Sequence, residues 1–113
     1  MKWLILLAIV ISINTRDAGD WVDPFTLPHV PFGVHGFFAG YLDILAGKKL
    51  FYVHTPSLNN PSKDPLVVLV SGPGCSGLHS WLYSHGEFTF VRDQETFRLN
   101  SRSWNKNANV LYI

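Results

Sequence analysis

Residues 66–70 read Leu-Val-Val-Leu-Val without a polar interruption, and residues 71–77 that follow read Ser-Gly-Pro-Gly-Cys-Ser-Gly. A continuous apolar run fits a strand buried on both faces, placed centrally in a sheet with helices on each side. Such a strand, running directly into Gly72, Pro73, Gly74 and Gly77, brings bare backbone close to a partner. This pairing fits an α/β arrangement in which a central strand opens onto a loop that holds a phosphate, a tetrahedral oxyanion or nothing beyond its own turn.

The rest of the composition fits a chain that buries surface. Hydrophobic residues make up 47% of the 113 residues and charged residues 15%, so disorder is excluded. The net charge of +1 gives no field for nucleic acid and none for a cationic partner. The length sets a ceiling of one small domain. The five histidines are scattered, and none of their spacings makes a metal site. No cofactor is implied.

The first residues stand apart. Lys2 precedes an almost unbroken apolar stretch from Trp3 to Ile11, and Ser12 to Arg16 then turns polar. This is the layout of a secretory signal peptide over residues 1–16, shorter than a membrane span of roughly 20 residues. Stable membrane association after its removal is not expected. In the oxidising compartment this implies, the single cysteine, Cys75, is an odd one out. Its surroundings suggest a packed or disulfide-bonded residue rather than a catalytic thiol.

Further elements follow from pattern. Asp20 to Gly36 carries Pro24, Pro28 and Pro31 and reads as an extended segment with no element of its own. Phe37–Leu45 and Leu50–Thr55 flank a turn at residues 46–49 and predict a β-hairpin. The loop from Pro56 to Pro65 reads as solvated. Leu78, Trp81 and Leu82 recur at helical spacing and predict a short helix ending before Gly86. Phe88–Val91 and Thr96–Leu99 predict a second hairpin, and Val110–Ile113 a further strand.

The glycine loop admits several chemistries. Gly72-x-Gly74-x-x-Gly77 has the letters of a dinucleotide fingerprint, but the helix after it is short and a hairpin stands where a second parallel strand belongs. A phosphate-binding loop needs Lys and then Ser or Thr where Leu78 and His79 stand. A nucleophile elbow, G-x-S-x-G, misses because Gly77 follows Ser76 directly. What remains is an oxyanion loop, whose backbone N–H groups point at the negative oxygen of a tetrahedral intermediate.

Five stretches resemble the serine carboxypeptidases, peptidase family S10. Phe37-Phe38-Ala39-Gly40-Tyr41-Leu42-Asp43 is similar to the family's Y-S-G-Y-L-x-V, and Leu50-Phe51-Tyr52 to its next strand. Residues 60–67 resemble N-P-x-x-D-P-L-V. Residues 72–76 match G-P-G-C-S, and Asn100 with residues 103–113 matches N-x-x-S-W-N-x-x-A-N-x-L-Y-I. Their order and spacing hold over residues 23–113.

The resemblance implies an α/β-hydrolase fold, present here in part: the N-terminal hairpin, the first central strands and the oxyanion loop. Residues 17–113 would then be the truncated N-terminal portion of a serine carboxypeptidase domain. The implied activity is release of C-terminal residues from peptides at acidic pH by a Ser-Asp-His triad. The family's nucleophile motif, G-E-S-Y-A-G, does not occur in this sequence, so the chain alone is expected to be inactive. By the same resemblance Gly72 would give the backbone N–H to the oxyanion, and Cys75 would pair with a more distal cysteine. The implied partner is the C-terminus of a peptide or protein. The implied location is the secretory pathway, with the protein secreted or in a lysosome or vacuole.

The sequence also departs from the family. Where members read W-L-N-G-G-P-G-C-S-S, residues 69–77 lack one glycine and hold Ser71 at the asparagine position. In the family that asparagine binds the substrate's terminal carboxylate, supported by a glutamate before L-G-P. Here Ser84 precedes His85-Gly86-Glu87. A serine hydroxyl can donate one hydrogen bond but has neither the reach of the amide nor the pairing of the acid. Ser71 and Ser84 are therefore the candidate substrate-binding positions. Their identity motivates an alternative, a divergent and catalytically inactive secreted member acting as a binding or structural protein.

Overall fold

A computed structural model describes residues 20–113. The expected signal peptide, residues 1–16, lies outside the described residues. The expected hairpins are both present. β1 (Trp21–Val22) pairs with β2 (Phe37–Asp43), which turns back as β3 (Lys49–Thr55). β4 (Leu66–Leu69) leads into the glycine loop and a helical segment over residues 77–85. β5 (Phe88–Val91) and β6 (Thr96–Leu99) form a separate two-stranded sheet, and β7 (Asn109–Tyr112) returns to the main one.

The main sheet has the order β1-β2-β3-β7-β4. β7 runs antiparallel to β3 and parallel to β4, with Leu66 opposite Asn109 and Leu69 opposite Tyr112. Parallel neighbours cannot be joined by a tight turn. The chain between them accordingly passes through the helical segment, the β5–β6 hairpin with a 3-10 turn at Arg92–Gln94, and a further 3-10 turn at Trp104–Lys106.

Strand alternation divides the core between the two sheet faces. Val53, Val110 and Tyr112 point to one face, where they meet Val34, Phe37, Trp81 and Phe88. Tyr52 and Leu111 point to the other and pack with Phe38, Leu42, Leu66 and Ile113. Trp81 ties the helical segment to the first face, with Phe37 edge-on at 4.8 Å and Phe88 edge-on at 5.3 Å. Truncation of such an aromatic typically costs about 3–5 kcal/mol.

Three expectations change. The strand buried on both faces is β7, all four of whose residues are buried. β4 is the outermost strand of the described sheet and is only half-buried, because β7 inserts between it and β3. Asp20 to Gly36 is not featureless: it holds β1 and a 3-10 turn at Pro24–Thr26, capped where the Asp23 carboxylate accepts from Phe25 N–H at 3.0 Å. The prolines leave room for this pairing because none falls within β1. The loop of residues 56–65 is not simply solvated either. Ser57 is buried, and Asn109 on the central strand donates to the carbonyls of Pro61 and Asp64, both at 3.0 Å.

Candidate active-site loop

The loop after β4 is built from a tight turn and a helix cap. Cys75 N–H donates to Gly72 C=O at 3.1 Å, closing a β-turn with Pro73 and Gly74 at its centre. Gly74 has φ +83°, the value a type II turn requires at its third position, and proline favours the second. The turn thus follows from the Pro-Gly pair itself. Ser76 then caps the helical segment, its Oγ accepting from Leu78 N–H at 3.2 Å. The segment starts as an α-helical turn at Gly77–Ser80 and widens into a π-turn at Trp81–His85, closed by Gly86 N–H on Trp81 C=O at 3.0 Å.

This arrangement leaves residues 72–76 at the surface. Among the described residues the Gly72 N–H donates to no acceptor, so it is available to a ligand. Ser71 is half-buried at the loop's start, where its N–H reaches Ile113 C=O at 3.5 Å. Ser84 is exposed near the far end of the helical segment, and its carbonyl accepts from Asn100 Nδ2 at 3.0 Å. No hydrogen bond among the described residues joins the two serines. Cys75 is exposed and free.

No hydrogen bond within residues 71–85 pairs a nucleophilic side chain with a base. The nearby histidines are occupied with aromatic rings: His79 stacks on Tyr83 at 4.8 Å, and His85 meets Trp104 edge-on at 4.2 Å. The loop can therefore orient backbone donors and present Ser71, but it carries no proton-transfer pair of its own.

Around Glu87 lies a buried polar cluster that the sequence reading did not identify. Glu87 Oε1 accepts from Asn105 Nδ2 at 2.7 Å, and Oε2 accepts from His35 N–H at 3.0 Å with His35 Nδ1 at 2.9 Å. The Asn105 amide also reaches Pro56 C=O at 3.2 Å. Burial pushes the pKa of the neighbouring Tyr112 hydroxyl up, the Thr55 side chain pulls it weakly down, and the Glu87 carboxylate adds to the rise. Asn105 and Asn109 stood in the quoted S-W-N-x-x-A-N stretch, the available signal. Glu87 had none beyond its place after His85-Gly86.

The serine carboxypeptidase family model matches residues 28–113. A serine carboxypeptidase S10 family member of Dictyostelium discoideum is 44% identical over 78 residues, covering 66% of this chain and 18% of that protein. The lysosomal protective protein of Mus musculus is 42% identical over 77 residues, covering 67% and 16%. A serine carboxypeptidase of Caenorhabditis elegans is 40% identical over 109 residues, covering 93% and 19%. This chain thus spans less than a fifth of the length of these relatives. The fold is similar to that of a prohormone-processing carboxypeptidase from Saccharomyces cerevisiae, with TM-score 0.52 and 23% identity over 85% of this chain and 22% of that one. With the family model matching most of its length, this chain belongs to the serine carboxypeptidase family, peptidase family S10.

Proposed function

We propose that residues 17–113 form the N-terminal part of a serine carboxypeptidase that releases C-terminal residues from peptides, with residues 71–77 as its oxyanion loop. The observation that carries this reading is the Gly72–Cys75 turn, exposed at the end of β4 with the Gly72 N–H unengaged among the described residues. A donor held in this way needs no reorganisation when negative charge develops on a carbonyl oxygen. The mixed sheet reads as the opening strands of an α/β-hydrolase sheet. The Ser-Asp-His triad would come from parts of the family domain that this match does not include.

In this reading Ser71 and Ser84 face the terminal carboxylate of a peptide substrate, in place of the family's Asn and Glu. Exposed Cys75 would take a disulfide partner from elsewhere in the full domain. The leader and the family point to the secretory pathway, ending outside the cell or in a lysosome or vacuole. No helix among the described residues is long and apolar enough to cross a membrane.

The test is to express the protein encoded by the whole transcript and measure release of the terminal residue from an N-blocked dipeptide at acidic pH. Hydrolysis abolished by a serine-directed phosphonate is expected, with residues 1–113 alone inactive. Absence of hydrolysis would favour the second reading, a family member kept as a binding or structural protein. The serines at positions 71 and 84 favour that second reading.

A further inference from the structure

The backbone of Ile113 touches both ends of the glycine loop. Its N–H donates to Leu69 C=O at 3.0 Å and its C=O accepts from Ser71 N–H at 3.5 Å, which fixes where the loop leaves β4. At the other end Gly77 is pressed against the backbone of the same residue. A Cβ on Gly77 would lie 2.6 Å from both the N and the O of Ile113, and 2.9 Å from its carbonyl carbon. Real Cβ contacts stay beyond 3.0 Å, and the opposing atoms here are backbone, which cannot swing aside. Any larger residue would force the helix start and the end of β7 apart.

Two of the departures from the motif W-L-N-G-G-P-G-C-S-S meet at this brace. The loop is one glycine short at its start, and at its end Gly77 stands where the motif has a serine. We infer that the two are coupled: the shorter loop draws the helix start onto the Ile113 backbone, and Gly77 is the positioning residue that makes room. Gly77 thereby sets where the turn carrying the Gly72 N–H sits relative to the central strand. The inference rests on reading residues 71–77 as the family's oxyanion loop.

A purely local role for Gly77 makes a different prediction. If glycine merely suited the helix start, a side chain there would cost the same whatever the loop length. Coupling requires that restoring the missing residue relieve the cost. The experiment is a cycle in the 113-residue chain: the parent, Gly77→Ser, a glycine inserted between Ser71 and Gly72, and both changes together. Thermal melting reports the whole fold. The labelling rate of exposed Cys75 with a disulfide reagent reports the loop itself.

Overpacking of this kind is expected to lower the Tm of Gly77→Ser by about 5 °C or more, with severalfold faster labelling of Cys75. In the double variant at least half of both losses returns. The insertion alone speeds labelling, because the longer loop is slack on a brace that Gly77 has already cleared. An unchanged Gly77→Ser, or a double variant no better than Gly77→Ser, overturns the coupling. If Gly77→Ser does not fold, the double variant must melt cooperatively, and its failure to do so overturns the inference equally. These readouts involve no hydrolysis, so an inactive full-length protein would refute the peptidase reading without touching this result.

Discussion

The Asn105 side-chain amide donates to Glu87 at 2.7 Å in the interior, where Glu87 is 9% exposed and Asn105 1%. Through its other oxygen Glu87 holds the His35 backbone N–H, and through Asn105 it reaches the Pro56 carbonyl. One carboxylate therefore joins the segment before β2, the start of the Pro56 loop and the 3-10 turn at residues 104–106. Removing it would leave buried donors without acceptors, which costs more than the bond itself contributes. Glu87→Ala is expected to lose about 2–4 kcal/mol in chemical denaturation. Glu87→Gln, which keeps one acceptor, should lose roughly half of that. A loss below about 0.5 kcal/mol for Glu87→Ala would show that the cluster anchors nothing.

Tyr112 presents the opposite case. Its side chain is 1% exposed, and its hydroxyl sits beside the Thr55 side chain without a hydrogen bond of normal geometry, since the Thr55 hydroxyl donates to Val110 C=O. Deleting a buried, unpartnered hydroxyl relieves its desolvation while leaving the ring's packing in place. Tyr112→Phe should therefore match the parent or gain up to about 1 kcal/mol. A clear loss in the same denaturation assay would reveal a partner for that hydroxyl.

Local patterns in the sequence carried most of the elements. Both hairpins, the short helix and the return strand follow from apolar periodicity and from turn residues such as Pro73-Gly74, whose chemistry acts within a few residues. Strand order was not legible in this way. Leu66–Val70 and Val110–Ile113 are equally apolar, and only the pairing of β7 with both β3 and β4 decides which of them is central. The Glu87 cluster was hidden for the same reason, since Glu87 meets His35 across 52 residues of sequence and Asn105 across 18. At the loop, the motif letters gave Gly72 and Ser71. They could not give the contact between Gly77 and Ile113, which depends on how closely two elements approach.

The turn between β2 and β3 stores a small strain. Ala46 adopts φ +61° and ψ 39°, a left-handed conformation in which its Cβ crowds the following peptide. Glycine takes this conformation without the clash, although it gives the unfolded chain more freedom to lose. The steric term is the larger one in a tight turn. Ala46→Gly should gain about 0.5–1 kcal/mol, a rise of a few degrees in Tm. The position is exposed, so no core packing changes with it. A fall in Tm would place Ala46 outside the left-handed region.

Asp64 gives the fold a defined response to acid. Its carboxylate accepts from Ser57 Oγ at 2.6 Å, from Asn60 N–H at 2.9 Å and from Asn59 Nδ2 at 3.2 Å. The Ser57 bond, followed by the Asn60 N–H, holds its pKa below the ordinary 3.8, against a smaller upward push from burial. A carboxyl whose folded pKa is depressed binds fewer protons in the native state than in the unfolded one. Its contribution is complete above the unfolded value and disappears as pH falls through the folded value, so the loss is confined to the region below about pH 3.8. Asp64→Asn should be less stable than the parent by a constant margin above about pH 5, and that margin should narrow only below the unfolded carboxylate value. Melting both proteins across this range is the check. A margin already lost near pH 5 would mean that the Ser57 and Asn60 bonds do not hold the carboxylate in solution.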